Sequence, residues 1–92
     1  MNGEEILAAL KKFGLYSYQA KIYYKLALHG PMKARELAVK SEVPMPRVYD
    51  CLQTLVSKNM VEVLLDAPKK FIAIQPEIAF KNLLFEHQKN LQ

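Results

Sequence analysis

The stretch VPMPRVYDCL, Val43–Leu52, sets two prolines directly before apolar residues that recur at helical spacing. Proline lacks an N–H and holds φ near about −65°, which suits the first turn of a helix and not its interior. The pair therefore predicts a turn that ends here and a helix that begins at Pro46, with Met45 as a poor N-cap. Val43 and Met45 each precede a proline and are expected to be extended. Beyond Pro46, the residues Val48, Cys51, Leu52, Leu55 and Val56 mark one buried face of a helix reaching Lys58. Asn59 follows as a left-handed C-cap, a role that asparagine tolerates second only to glycine.

Working outward, Ala34, Leu37 and Ala38 give a short upstream helix, and Ser41–Val43 a tight turn. A longer helix precedes them from about Ser17 to His29, capped by Ser17 or Tyr16 and stopped by Gly30-Pro31. Its apolar face is Ala20, Tyr23, Tyr24, Ala27 and Leu28, widened by Ile22 and Leu26, a breadth that predicts burial on more than one side. Two short helices joined by a tight turn and packed on a longer one form a helix-turn-helix. Before it, Ile6, Leu7, Leu10 and Phe13 predict a first helix over Glu4–Phe13, with Gly14 at its end. After it, MVEVLL and KFIAI are β-branched and aromatic runs separated by DAPK, which predicts a hairpin with Asp66 to Lys69 or Lys70 at its tip. A last helix runs from Pro76 to the end of the chain. The order predicts a mainly α, α+β fold: a winged helix-turn-helix over residues 1–75 with a two-stranded wing, then a dimerisation helix over 76–92.

Composition narrows the function classes. Ninety-two residues, 51% hydrophobic and 24% charged, fit one ordinary globular domain with a thin core. No apolar run approaches the ~18 residues of a membrane span. The acidic start MNGEEILAAL predicts no export signal, and a single cysteine predicts no internal disulfide, together fitting a cytoplasmic protein. A net charge of +4 favours an anionic partner. No phosphate-binding glycine loop or nucleophile motif is present. His29 and His87 lie far apart without a cysteine or carboxylate at ligand spacing, so no metal, cofactor or enzymatic activity is expected. Cys51 reads as a small core residue, and the five tyrosines as core-edge aromatics.

The outward face of the second short helix carries Arg47, Asp50, Gln53, Thr54, Ser57 and Lys58, with Tyr49 at its margin. In a helix-turn-helix this helix enters the major groove and its first residues touch base edges. Arginine donates bidentately to guanine, glutamine to adenine, and Thr54 suits a thymine methyl or a phosphate. Met45 and Pro46 offer apolar contact to thymine methyls. The same composition also fits an ordinary solvated face, so periodicity alone leaves both readings open.

The last helix is apolar around most of its circumference in its first half, through Ile78, Ala79, Phe80, Leu83, Leu84 and Phe85. Phe80, Leu84, His87 and Leu91 follow a four-three spacing that suits a short coiled-coil seam. With Leu83 they are the expected contacts of a homodimer, against the alternative of a helix folded wholly onto its own monomer.

Taken together, FGL with YQAKIY, GP followed by RELA, VP followed by RVYDCLQTL, MVEV and PKKFIAIQPEIA occur in one order over nearly the whole chain. In this the sequence resembles the N-terminal DNA-binding domain of TrmB-like transcriptional regulators, winged-helix proteins found mainly in archaea. The resemblance implies binding to double-stranded operator DNA, with Arg47 and Tyr49 in the recognition-helix motif and Lys69 and Lys70 in the basic wing. It also implies phosphate contact by Lys33 and Arg35 at the start of the preceding helix. Lys33 stands where a threonine or serine cap is common, Glu42 and Asn59 replace turn glycines, and Gln19 replaces a frequent glutamate. Many members carry a C-terminal effector domain that binds sugars; one helix follows the hairpin here, so sugar sensing is not carried over and any effector stays unassigned. The expectation is a homodimeric, sequence-specific DNA-binding regulator, with a winged-helix protein–protein module of a transcription complex as the alternative.

Overall fold

The computed structural model describes residues 2–65 and 68–90. Its elements run in the order α1 (Gly3–Lys12), α2 (Ser17–His29), α3 (Ala34–Ser41), α4 (Met45–Ser57), β1 (Val61–Leu64), β2 (Lys70–Ala73) and α5 (Pro76–Asn90). This is the expected winged helix-turn-helix, built from α2 to β2 and flanked by α1 and α5. Asp66 and Ala67 of the predicted hairpin tip, and Leu91 of the predicted seam, lie outside the described residues.

Three helices stop in the same way, and the sequence shows why. After α1, α3 and α4 the chain turns through a left-handed residue, respectively Gly14 (φ 115°), Glu42 (φ 57°) and Asn59 (φ 59°). Each turn returns two N–H groups to carbonyls that the helix end leaves without partners. Leu15 donates to Leu10 (3.1 Å), Val43 to Ala38 (3.2 Å) and Met60 to Leu55 (2.9 Å). In every case the donor that closes the turn is a buried apolar residue. Burial of Leu15, Val43 and Met60 thus fixes where each helix ends, and it holds Glu42 in a conformation that favours glycine.

Helix α2 is central, packed on α1, α3, α4 and β2. It buries Ala20, Ile22, Tyr23 and Leu26. The predicted stripe is too wide on one side: Ala27 and Leu28 are exposed, Leu28 by 58%. The reason is an open groove between α2 and the start of α5, into which these residues face. From α4, Val48, Cys51, Leu52 and Leu55 complete the core as predicted, with Val56 partly buried beside them. Each fully buried leucine contributes roughly 1.5–3 kcal/mol relative to an exposed one.

The wing is antiparallel, pairing Val61 with Ala73 and Leu64 with Lys70. Phe71 turns its own N–H and carbonyl away from β1 toward Met32, with N–O distances of 2.8 and 3.0 Å. That bridge, formed by the segment between α2 and α3, ties β2 of the wing to the helices. The buried Tyr23 hydroxyl donates to the Ile74 carbonyl (2.8 Å), and burial pushes its pKa up to about 12. Helix α5 seats Ala79 and Leu83 in the same core, and the Asn82 side-chain amide donates to the Asn59 carbonyl (2.6 Å). Among the described residues no helix is long and apolar enough to cross a membrane.

Candidate nucleic-acid interface

Helix α4 begins one residue earlier than its prolines predict. Pro44 is the N-cap, extended at φ −57° and ψ 136°, and Met45 is already helical. Pro46 therefore occupies the second helical position. Both registers are permitted, because the first N–H groups of a helix have no intrahelical acceptor and proline forfeits nothing there. Core contact decides between them: Met45 packs partly buried against the hydrophobic cluster, which draws it into the first turn. Its side chain is thereby committed inward, leaving Pro44 and Pro46 as the exposed apolar residues at this end.

The first turn is closed by the Arg47 N–H, which donates to the Pro44 carbonyl (2.8 Å). With Val48, Cys51, Leu52 and Leu55 anchored inward, Arg47, Tyr49, Asp50 and Gln53 are left exposed, and Thr54 is half-buried. Arg47 borders a cleft shared with Tyr16, Tyr18 and Gln19 at the start of α2. Tyr16 is 79% exposed and is the N-cap of α2, where its N–H donates to the Gln19 side-chain oxygen (3.1 Å). The tyrosines are thus not all core-edge residues: Tyr16, Tyr18 and Tyr49 are exposed, and Tyr23 alone is buried. The signal for Tyr16 lay in its position at the α2 cap; nothing local predicted its approach to Arg47, which depends on how α2 and α4 cross.

Tyr49 and Gln53 line a second cleft, of about 330 Å³, together with Lys69 and Phe71 of the wing. The Lys69 ammonium stands 5.5 Å from the centroid of the Phe71 ring, an attraction that keeps its stem over the aromatic face. Lys70 belongs to β2, paired with Leu64, and strand alternation sends it to the face opposite Phe71. The two wing lysines are therefore separated: Lys69 joins the α4 face and Lys70 does not. Lys33 and Arg35 are exposed at the start of α3 and lie in their own shallow groove with Glu36, Val39 and Lys40. The lysine side chain has no acceptor to cap α3, so only the reciprocal half of the box forms, with Lys33 N–H donating to the Glu36 carboxylate (3.2 Å).

Cys51 is buried beneath Arg47. Burial raises its thiol pKa, Arg47 opposes the rise and Asp50 adds to it, so the sulfur is a packing group and not a reactive thiolate. Among the described residues no three His, Cys, Asp or Glu side chains gather to hold a metal ion.

On α5 the predicted dimer residues separate as well. Leu83 is 1% exposed inside its own domain, so it is a core residue and is not available to a second copy. Together with Ala79 one turn earlier and the Asn82–Asn59 hydrogen bond next to it, Leu83 marks where α5 meets the core. Phe80 is partly buried against that core, and the half-buried His87 stands edge-on to Phe13 of α1 (5.8 Å between ring centroids). Leu84 is exposed, and so are Ile78 and Phe85, which the four-three spacing left out.

The family model for the sugar-specific transcriptional regulator TrmB matches residues 10–77. The HTH-type sugar sensing transcriptional regulator TrmBL1 of Pyrococcus furiosus is 36% identical over 80 residues, covering 87% of this chain and 24% of that protein. The DNA-binding HTH-type transcriptional repressor TrmBL2 of Thermococcus kodakarensis is 32% identical over 80 residues, covering 87% of this chain and 30% of the repressor. A solved structure of TrmBL2, described as an archaeal chromatin protein with a novel mode of DNA binding, superposes with a TM-score of 0.85 at 28% identity. That superposition covers 99% of this chain and 35% of the TrmBL2 chain. The chain thus spans about a quarter to a third of the length of these relatives. With the family model matched across the whole winged-helix core, the chain belongs to the TrmB family, a family of transcriptional regulators and not of enzymes.

Proposed function

We propose that this chain is a transcriptional regulator that binds double-stranded DNA through α4 and the wing. The observation that carries the reading is the surface left when α4 packs inward: Arg47 at the free helix end, then Tyr49 and Gln53 facing Lys69 across one cleft. Such a surface combines a bidentate donor for guanine, an amide for adenine and a cation for the phosphate backbone. The DNA binding of TrmBL2, to which this chain is similar, lends support. In this reading Arg47 and Gln53 touch base edges, and Pro46 and Thr54 sit beside them. Asp50 turns away phosphates from the middle of the helix, and Tyr16 and Tyr18 offer hydroxyls to the backbone next to Arg47. Lys69 meets the phosphate backbone or minor groove, with Lys33 and Arg35 at a neighbouring phosphate and Lys70 as a more distant charge.

The protein acts as a homodimer in this proposal, with residues 76–92 supplying the contact and residues 1–75 the DNA-binding domain. Support comes from Ile78, Leu84 and Phe85, large apolar side chains that α5 leaves in solvent. Two copies related by a two-fold axis match the symmetry of palindromic half-sites. Selection of genomic fragments by the purified protein, followed by anisotropy titration of the best fragment, tests the DNA reading. Saturable binding that discriminates against scrambled fragments supports it, and equal weak binding to all fragments defeats it. Light scattering of wild type and of Phe85→Ser tests the dimer; an unchanged dimer in the variant removes this face of α5 from the contact.

A further inference from the structure

Lys69 carries the charge of the wing in the DNA reading, and the group set beside it is a ring. Its ammonium lies 5.5 Å from the centroid of Phe71. Both residues line the cleft that Tyr49 and Gln53 of α4 border from the other side. Among the described residues no carboxylate lines that cleft. Two further lysines lie over rings, Lys12 over Phe13 and Lys25 over Tyr24, but neither pair lines it.

Phe71 is held from several directions. It is 5% exposed, it pairs with Val63 of β1, and its N–H and carbonyl both bond to Met32. A ring so deeply set has too little open π-face to stack on a base. Any effect on DNA therefore runs through a neighbour, and Lys69 is that neighbour. A lysine ammonium sits on a flexible four-carbon stem, and ordering that stem on binding lowers affinity. A fixed aromatic face attracts the ammonium and narrows the freedom of the stem beforehand, so less is lost when DNA arrives. We propose that Phe71 is a positioning residue for DNA binding, its ring holding the Lys69 ammonium on the α4 side of the wing where a backbone phosphate is met. The proposal rests on the DNA reading and adds to it the group that aims the wing cation. Lys70, which strand alternation sends to the opposite face, lacks this support.

Two measurements test it. The first needs no DNA: in NMR spectra of the isotope-labelled full chain, the ring current of Phe71 should move the ε-methylene protons of Lys69 upfield of those of Lys70. The second is a double-mutant cycle, read by anisotropy titration of the best genomic fragment. A trifluorinated phenylalanine in place of Phe71 keeps the apolar volume and removes most of the negative charge from the π-face. It should weaken DNA binding about two- to fivefold, the equivalent of one exposed cation–π contact, and leave the midpoint of urea denaturation where it was. In a Lys69→Met background the same replacement should leave DNA affinity unchanged, because the group it acts through is gone. Lys69 ε-protons level with those of Lys70, or an equal loss of affinity with and without the lysine, would overturn the proposal and leave the DNA reading intact. A wild-type chain that binds no duplex would overturn both.

Discussion

Helices α4 and α5 are of similar length and similarly rich in apolar residues, yet the domain uses them in opposite ways. Helix α4 divides cleanly, burying Val48, Cys51, Leu52 and Leu55 and exposing polar side chains. Helix α5 buries only Ala79 and Leu83 and leaves Phe85 69% exposed. A single apolar stripe names both the face that faces inward and the face left for a partner. A helix that is apolar nearly all round names neither, because several rotations satisfy the same pattern. The exposed surface of α4 therefore invites a charged partner, and that of α5 an apolar one.

The largest expected effect breaks the comparison if it fails. Leu55→Ala, at a fully buried site on α4, should cost about 2–5 kcal/mol in urea denaturation. Phe85→Ser should change the stability of the monomer by no more than about 0.5 kcal/mol. Equal losses would mean that the outer side of α5 belongs to the core after all. Next, Arg47→Ala should cost about 1–3 kcal/mol against the selected DNA site and relax base preference there. Lys69→Ala should weaken all sequences alike, and more than Lys70→Ala does, because only Lys69 faces α4. A larger loss from Lys70→Ala would contradict the division of the wing by strand alternation.

Smaller effects sharpen the account of how the wing and α4 are held. Tyr23→Phe should cost about 1 kcal/mol by leaving the Ile74 carbonyl without its donor. Its pH dependence has a definite sign. The folded pKa, about 12, lies above the ordinary value of 10.0, so the stabilisation is complete below pH 10 and is lost as pH rises through 12. The variant should lack that part of the alkaline decline. Last, Glu42→Gly should raise stability by about 0.5–1 kcal/mol, since it relieves a left-handed glutamate at some cost in unfolded-state entropy. Asn59→Gly should gain less, because asparagine tolerates that conformation. A destabilised Glu42→Gly would show that the carboxylate side chain contributes something to the turn that its exposed position does not reveal.

Much of the fold was legible where local chemistry and burial agree. The inward set of α4, the stop at Asn59, the hairpin and the helix beginning at Pro76 all follow from side-chain periodicity and turn residues. The start of α4 did not, because two prolines permit two registers and packing of Met45 chooses between them. The Met32–Phe71 bridge was hidden because a single paired residue has no periodicity. The candidate site divides on the same line. Arg47, Tyr49 and Gln53 fall on the exposed face of one helix and were predicted from it. The grouping of Arg47 with Tyr16 and Tyr18, and of Gln53 with Lys69, depends on crossings between elements distant in the sequence. Leu83 was misplaced for the same reason, since only the seating of α5 on Asn59 shows which of its sides is buried.

The central claim is that a cationic surface on α4 and the wing meets the phosphates of duplex DNA. The most direct test is the affinity for a selected duplex measured by anisotropy across a range of salt concentrations. With about three or four basic residues engaged per protomer of a dimer, log K against log salt should fall with a slope of about −5 to −7. A slope near zero, or no binding at low salt, would contradict the claim.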